Sequence, residues 1–194
     1  MTVCAVAVQL IRFRSSDPAV ISARRRRSGY AATMAEPRWL DEKEQRAWRA
    51  FIAAQRVVNS RIEQQMQRDA GIPHTYYEIL VRLADSQNGR LRMSELAVAT
   101  LGSRSRLSHA VSRLEQCGWV RREGIETDRR GQVAIITEQG RQKLTDTAPG
   151  HVETVRQAVF DALSPEQIAQ LHDICGTLVR HSGGTYDDDR WEGR

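Results

Sequence analysis

Cysteine is scarce and dispersed: the three thiols, Cys4, Cys117 and Cys175, form no CxxC pair. That excludes a disulfide scaffold and a four-thiolate zinc site, and it fits a reducing cytoplasm. No run of 18 apolar residues exists, so no membrane span is expected. P-loop, GxGxxG, HExxH and GxSxG signatures are missing. The five histidines are scattered and offer no evident base–nucleophile pair. His172 and Cys175 share a helical face, with His181 beyond, but without the regular spacing of a metal site. The chain is therefore expected to be no enzyme, with no metal and no cofactor. With 40% hydrophobic and 27% charged residues, 13 Gly and 5 Pro, a packed core is expected rather than wholesale disorder.

Charge is unevenly placed along the 194 residues. Residues 1–33 hold six arginines (Arg12, Arg14, and Arg24 to Arg27) against Asp17 alone, which equals the net +5 of the whole chain. Residues 82–143 carry 12 basic against 7 acidic side chains, and residues 144–194 carry 4 against 9. A basic middle between non-basic segments suggests one surface that faces a polyanion. In the leader a short apolar stretch precedes the arginines, the reverse of a secretory signal. Residues 1–33 are expected to be a disordered leader or an over-extended start, and residues 183–194 a solvated acidic tail.

Apolar residues at Trp48, Phe51, Ile52, Val58, Ile62 and Met66 recur at spacings of three and four, which predicts a long amphipathic helix over about 41–69. Its stripe is too long to bury in a small globule, so a partner chain is expected. Gly71-Ile72-Pro73 breaks it, and Thr75-Tyr76-Tyr77-Glu78 reads as a capping box for a second helix. Ser94 is the expected N-cap of a short third helix, with Met93 and Val98 as its hydrophobic staple. Gly102 closes that helix, and Ser103 caps a fourth that runs to Cys117 and stops at Gly118. Short helix, glycine turn and second helix make a helix-turn-helix. Strand-favouring stretches at 119–125 and 132–137, joined by a turn at 126–131 with Arg129 and Arg130 at its tip, predict a β-hairpin. A further helix starts near Glu138, and Ser164-Pro165-Glu166-Gln167 opens the last one.

On the fourth helix, Leu107, Ala110, Val111 and Leu114 form one buried face. The opposite face carries Ser105, Ser108, His109, Ser112 and Gln116, flanked by Arg106 and Arg113. Surface helices normally mix charge signs, yet residues 101–114 contain no acid. Short hydroxyls permit close approach to DNA, and Arg and His supply donors for guanine edges and phosphates. Ser103 and Arg104 at the helix start complete the expected DNA-facing set, and Arg129 and Arg130 are suited to a minor groove.

These segments resemble the winged helix-turn-helix of the multiple-antibiotic-resistance regulator (MarR) family. The most specific parts are residues 107–115 (LSHAVSRLE), residues 118–122 (GWVRR), Asp128-x-Arg130, and Ile136-Thr137-x-x-Gly140. Trp119 stands where a smaller aliphatic residue is common. The resemblance extends in arrangement over residues 38–182. It implies a mainly α fold with a two-stranded wing, the winged helix-turn-helix at about 75–140, and dimerisation helices at about 41–69 and 141–182. It also implies a homodimer on a pseudo-palindrome of double-stranded DNA, with Ser105, Arg106, Ser108, His109 and Arg113 in the major groove and Arg130 in the minor groove. Family members often bind small anionic or phenolic effectors, for which Trp48, His74, Tyr76 and Tyr77 are the candidates here. The expected function is a cytoplasmic, sequence-specific transcriptional regulator, a repressor released by such an effector. An architectural protein binding DNA without strong sequence preference is the alternative.

Overall fold

The computed structural model describes residues 38–100, 103–125 and 128–183, so the expected leader and all but the first residue of the expected tail lie outside it. The chain divides into two compact units, residues 1–45 and 46–194. In the first, Asp41 and Glu44 cap the start of helix α1 (Glu42–Gln65) reciprocally: each backbone N–H donates to the other's carboxylate at 2.8 Å.

The second unit continues α1 into a widened π turn at Met66–Ala70, closed by Gly71 at φ +68°. There follow α2 (His74–Asp85), β1 (Arg90–Arg92), α3 (Met93–Ala99), α4 (Arg104–Gln116), β2 (Val120–Ile125), β3 (Asp128–Ile136), α5 (Glu138–Ala158) and α6 (Pro165–His181). The three strands form an antiparallel sheet in the order β1-β3-β2. No helix among the described residues is long and apolar enough to cross a membrane.

Two of the expected helix starts are corrected. Helix α2 begins at His74, ahead of the Thr75–Glu78 box, because its first amide is capped from another helix: His74 N–H donates to Glu63 Oε2 at 3.0 Å. Helix α3 begins at Met93 instead of after Ser94, because the Arg92 N–H donates to Glu95 Oε2 at 2.9 Å one turn on. The expected staple fails with it, since Met93 packs on the core while Val98 is 64% exposed. Ser103 does cap α4, accepting the Arg106 N–H, and Ser164 and Gln167 form the reciprocal box that opens α6. The last helical residue expected in α3, Leu101, lies outside the described residues.

The core of the winged region is built by α2, α3 and α4 against the sheet. Leu107, Val111 and Leu114 of α4 meet Leu80 and Leu83 of α2, Leu96 of α3, and Ala134 and Ile136 of β3. Each fully buried aliphatic side chain contributes roughly 1.5–3 kcal/mol of transfer free energy. A smaller cluster, Ile62, Met66, Ile72 and Tyr77, joins the end of α1 to α2.

The sheet differs from the expected hairpin in two respects. Strand β1 was not anticipated, since three residues are too few to display an alternation; Leu91 enters the core while Arg90 and Arg92 stay exposed. Strand β3 starts at Asp128, so Arg129 and Arg130 belong to the strand instead of a free turn. The register explains this: Gly124 faces Gln132 but Ile125 faces Asp128, so residues 129–131 bulge from the ladder.

Candidate nucleic-acid interface

Helix α4 is held rigidly by its apolar side and leaves the other side open. Leu107, Ala110, Val111 and Leu114 are buried, whereas Ser103, Arg104, Ser105, Arg106, Ser108, His109 and Arg113 are exposed. Arg113 Nη1 donates to Gln116 Oε1 at 3.0 Å. Among the described residues, the side chains of Arg104, Arg106 and His109 make no hydrogen bond or ion pair. Two guanidiniums and an imidazole exposed around the open side of the helix form a donor-rich surface without a carboxylate partner among the described residues, suited to phosphates and guanine edges. The side chains of Arg129 and Arg130 are not described, so the wing contributes its backbone path alone.

Ser112 differs from its neighbours. Its hydroxyl donates to the Ser108 carbonyl at 2.9 Å and accepts Arg122 Nη2 at 3.2 Å. Arg122 in turn holds Glu115: its backbone N–H donates to Oε1 at 3.0 Å and its Nε–H to Oε2 at 2.8 Å. The Arg122 hydrogen bonds hold the Glu115 carboxyl below its ordinary range despite partial burial. Sequence reasoning missed this group. Strand alternation carried the signal: Arg122 stands two residues from the buried Val120, on the same side of β2, and reaches α4, whereas Arg121 and Glu123 face the other way and pair with each other.

The four aromatic candidates for an effector site separate. Tyr76 lines an open cleft of about 600 Å³ between the start of α2 and α4, together with Pro73, Thr75, Arg106, His109 and Arg113. His74 and Tyr77 instead join His151 of α5, with His74–His151 and Tyr77–His151 ring centroids 5.3 and 4.7 Å apart. Burial, and then the charge of His74, push the His151 imidazole down, and its buried Nδ1 has no hydrogen-bond partner among the described residues. Burial also raises the Tyr77 phenol. Trp48 stands elsewhere, 45% exposed and tilted against Phe51 at 6.1 Å. Trp119, the departure from the family pattern, packs between both core clusters beneath Lys143, whose Nζ lies 5.4 Å from its ring and donates to the Ala70 carbonyl at 2.8 Å.

A helix-turn-helix whose second helix is buried on one side and cationic on the other, followed by a hairpin, defines a winged helix-turn-helix protein. The MarR family model matches residues 70–131. Sco3205 of Streptomyces coelicolor, a MarR family transcriptional regulator whose crystal structure is a complex with DNA, is 51% identical with a TM-score of 0.74, over 81% of this chain and 99% of that one. AbsC of the same organism, also a MarR family regulator, is 41% identical with a TM-score of 0.71, over 77% of this chain and 100% of that one. The transcriptional repressor MprA of Escherichia coli K12 is 30% identical over 114 residues, 59% of this chain and 64% of MprA, so the match spans just under two thirds of that relative. The chain belongs to the MarR family of transcriptional regulators.

Proposed function

We propose that this regulator binds a pseudo-palindromic operator in double-stranded DNA as a homodimer and represses transcription until a small anionic or phenolic effector releases it. The observation that carries the DNA reading is the open face of α4, where Arg104, Arg106 and His109 have no partner among the described residues. Ser105, Arg106, Ser108, His109 and Arg113 are assigned to the major groove, and Arg130 to the minor groove. The DNA complex of the similar Sco3205 supports DNA binding, and the name of MprA as a repressor supports the sign of regulation.

Dimerisation is assigned to α1 with α5 and α6, within a functional domain at residues 38–182. Apolar side chains on these helices lie open in the single chain: Ile174 is 59% exposed and Leu178 45%. For the effector, Tyr76 beside Arg106 and Arg113 offers an aromatic wall with cations for a planar anion. A ligand there would sit on residues assigned to DNA, which gives release a steric cause. Selection of duplexes from a random pool tests the whole reading. Enrichment of an inverted repeat with half-sites about one helical turn apart is expected; recovery of unrelated sequences would leave only architectural binding.

A further inference from the structure

The link between α4 and the wing carries a consequence beyond the surface residues. A two-stranded hairpin is weakly stable alone and takes its direction from whatever grips its base. Here β1 and the buried Val120, Ala134 and Ile136 anchor the base of the sheet, and one side chain ties β2 to the polar side of the recognition helix: Arg122, about a quarter exposed, reaches from β2 to Glu115 and Ser112 on α4. From Arg122 to Ile125, the last residue of β2, is three residues, roughly 10 Å at 3.3 Å per residue. A rotation of about 6° at the base would therefore move the end of β2 by about 1 Å, enough to spoil a base or groove contact.

We propose that Arg122 is a positioning residue that locks the wing to the recognition helix, so that the two read DNA as one unit, and that Glu115 and Ser112 serve this lock instead of touching bases. The inference rests on the DNA reading proposed above. It makes a prediction of unusual sign. Removing a negative charge from a DNA-facing helix tightens binding to any duplex by ordinary electrostatics. The lock predicts that Glu115→Gln loosens binding to the preferred duplex, because a neutral amide no longer clamps the guanidinium. The freed Arg122 meanwhile gains access to phosphates, so affinity for scrambled duplex rises.

The test titrates the full chain with its selected duplex and with a scrambled duplex of equal composition, at two salt concentrations. Glu115→Gln and Arg122→Ala should each lower the ratio of preferred to scrambled affinity by at least tenfold. The double variant should do no worse than either single, since one lock is broken in all three. Ser112→Ala should lower the ratio two- to threefold with an unchanged salt slope. Two results would overturn the proposal: Glu115→Gln tightening both duplexes equally, or Arg122→Ala weakening both equally with a salt slope reduced by about one, which marks a plain phosphate contact. Should Arg122→Ala fail to fold, Glu115→Gln decides alone, since it keeps the shape of the side chain. A wild-type chain that does not prefer its selected duplex would refute the DNA reading itself, an outcome distinct from failure of the lock.

Discussion

Gly140 lies so close to the carbonyl of Trp119 that a β-carbon on it would meet that oxygen at 2.2 Å. The contact seats the first turn of α5 on the base of the wing, where the Trp119 carbonyl also accepts the Thr137 N–H at 3.0 Å and Thr137 Oγ1 accepts the Gly140 N–H at 3.1 Å. Backbone on both sides leaves no flexible atom to yield. Gly140→Ala is expected to destabilise the fold by about 1–3 kcal/mol in urea unfolding. Gly124→Ala, whose added carbon meets nothing within 4 Å, should change it by less than about 0.5 kcal/mol. Equal effects would show that the approach at Gly140 is relieved cheaply.

Glu63 caps α2 from α1, and Gln67 Nε2 and the His74 N–H hold its carboxyl below the ordinary range, in that order. A depressed carboxyl stabilises the fold above its unfolded pKa, near 4.3, and that contribution disappears as pH falls through the lower folded value. Glu63→Ala should cost about 1 kcal/mol at pH 7, the usual worth of a cap. Glu63→Gln, which keeps a neutral acceptor, should cost less and flatten the acid limb of the stability profile below about pH 5. An acid limb identical to that of the wild type would remove Glu63 from the account.

His151 works in the opposite charge sense. Its imidazole is held down by burial and by His74, so the fold favours the neutral ring beside His74 and Tyr77. The stabilisation is complete above the unfolded pKa of about 6.5 and is lost as pH falls through the folded value. Wild-type protein should therefore unfold more readily at pH 5.5 than at pH 7.5. His151→Phe should narrow that difference, measured as the shift in urea midpoint.

The two proposed DNA-reading elements should respond differently to truncation. Arg106 stands on a rigid helix, so Arg106→Ala should cost about 1–3 kcal/mol on the preferred duplex and relax preference at one position per half-site. Arg130→Ala should weaken binding according to the A·T content beside the half-sites and reduce the salt slope by about one. Fluorescence titration on matched and scrambled duplexes separates the two. Unchanged affinity in both variants would reject the contact model.

The proposed dimer should depend on the open stripe of α6. Ile174 and Leu178, one helical turn apart and exposed in the single chain, can each take a charge without disturbing the core. The double variant Ile174→Glu/Leu178→Glu should sediment as a monomer with an unchanged far-UV spectrum. A dimeric mass would move the interface elsewhere.

The sequence by itself determined the elements whose cause is local. The apolar spacing of Leu107, Val111 and Leu114, the caps at Ser103 and Ser164, and the turn at Gly118 each act within a few residues, so one chain suffices to read them. The cationic face of α4 was legible for the same reason: a helix with one face buried must expose the other. What only the tertiary structure decided were the contacts between elements distant in sequence. Nothing near residue 74 announces that Glu63 will cap α2, and a three-residue strand such as β1 exists only because β3 offers it partners. His151 joins His74 and Tyr77 across more than seventy residues, and Arg122 becomes a clasp instead of a surface charge because strand alternation turns it toward Glu115. Local propensity sets which elements form; long-range hydrogen bonds and shared burial set where their side chains end up.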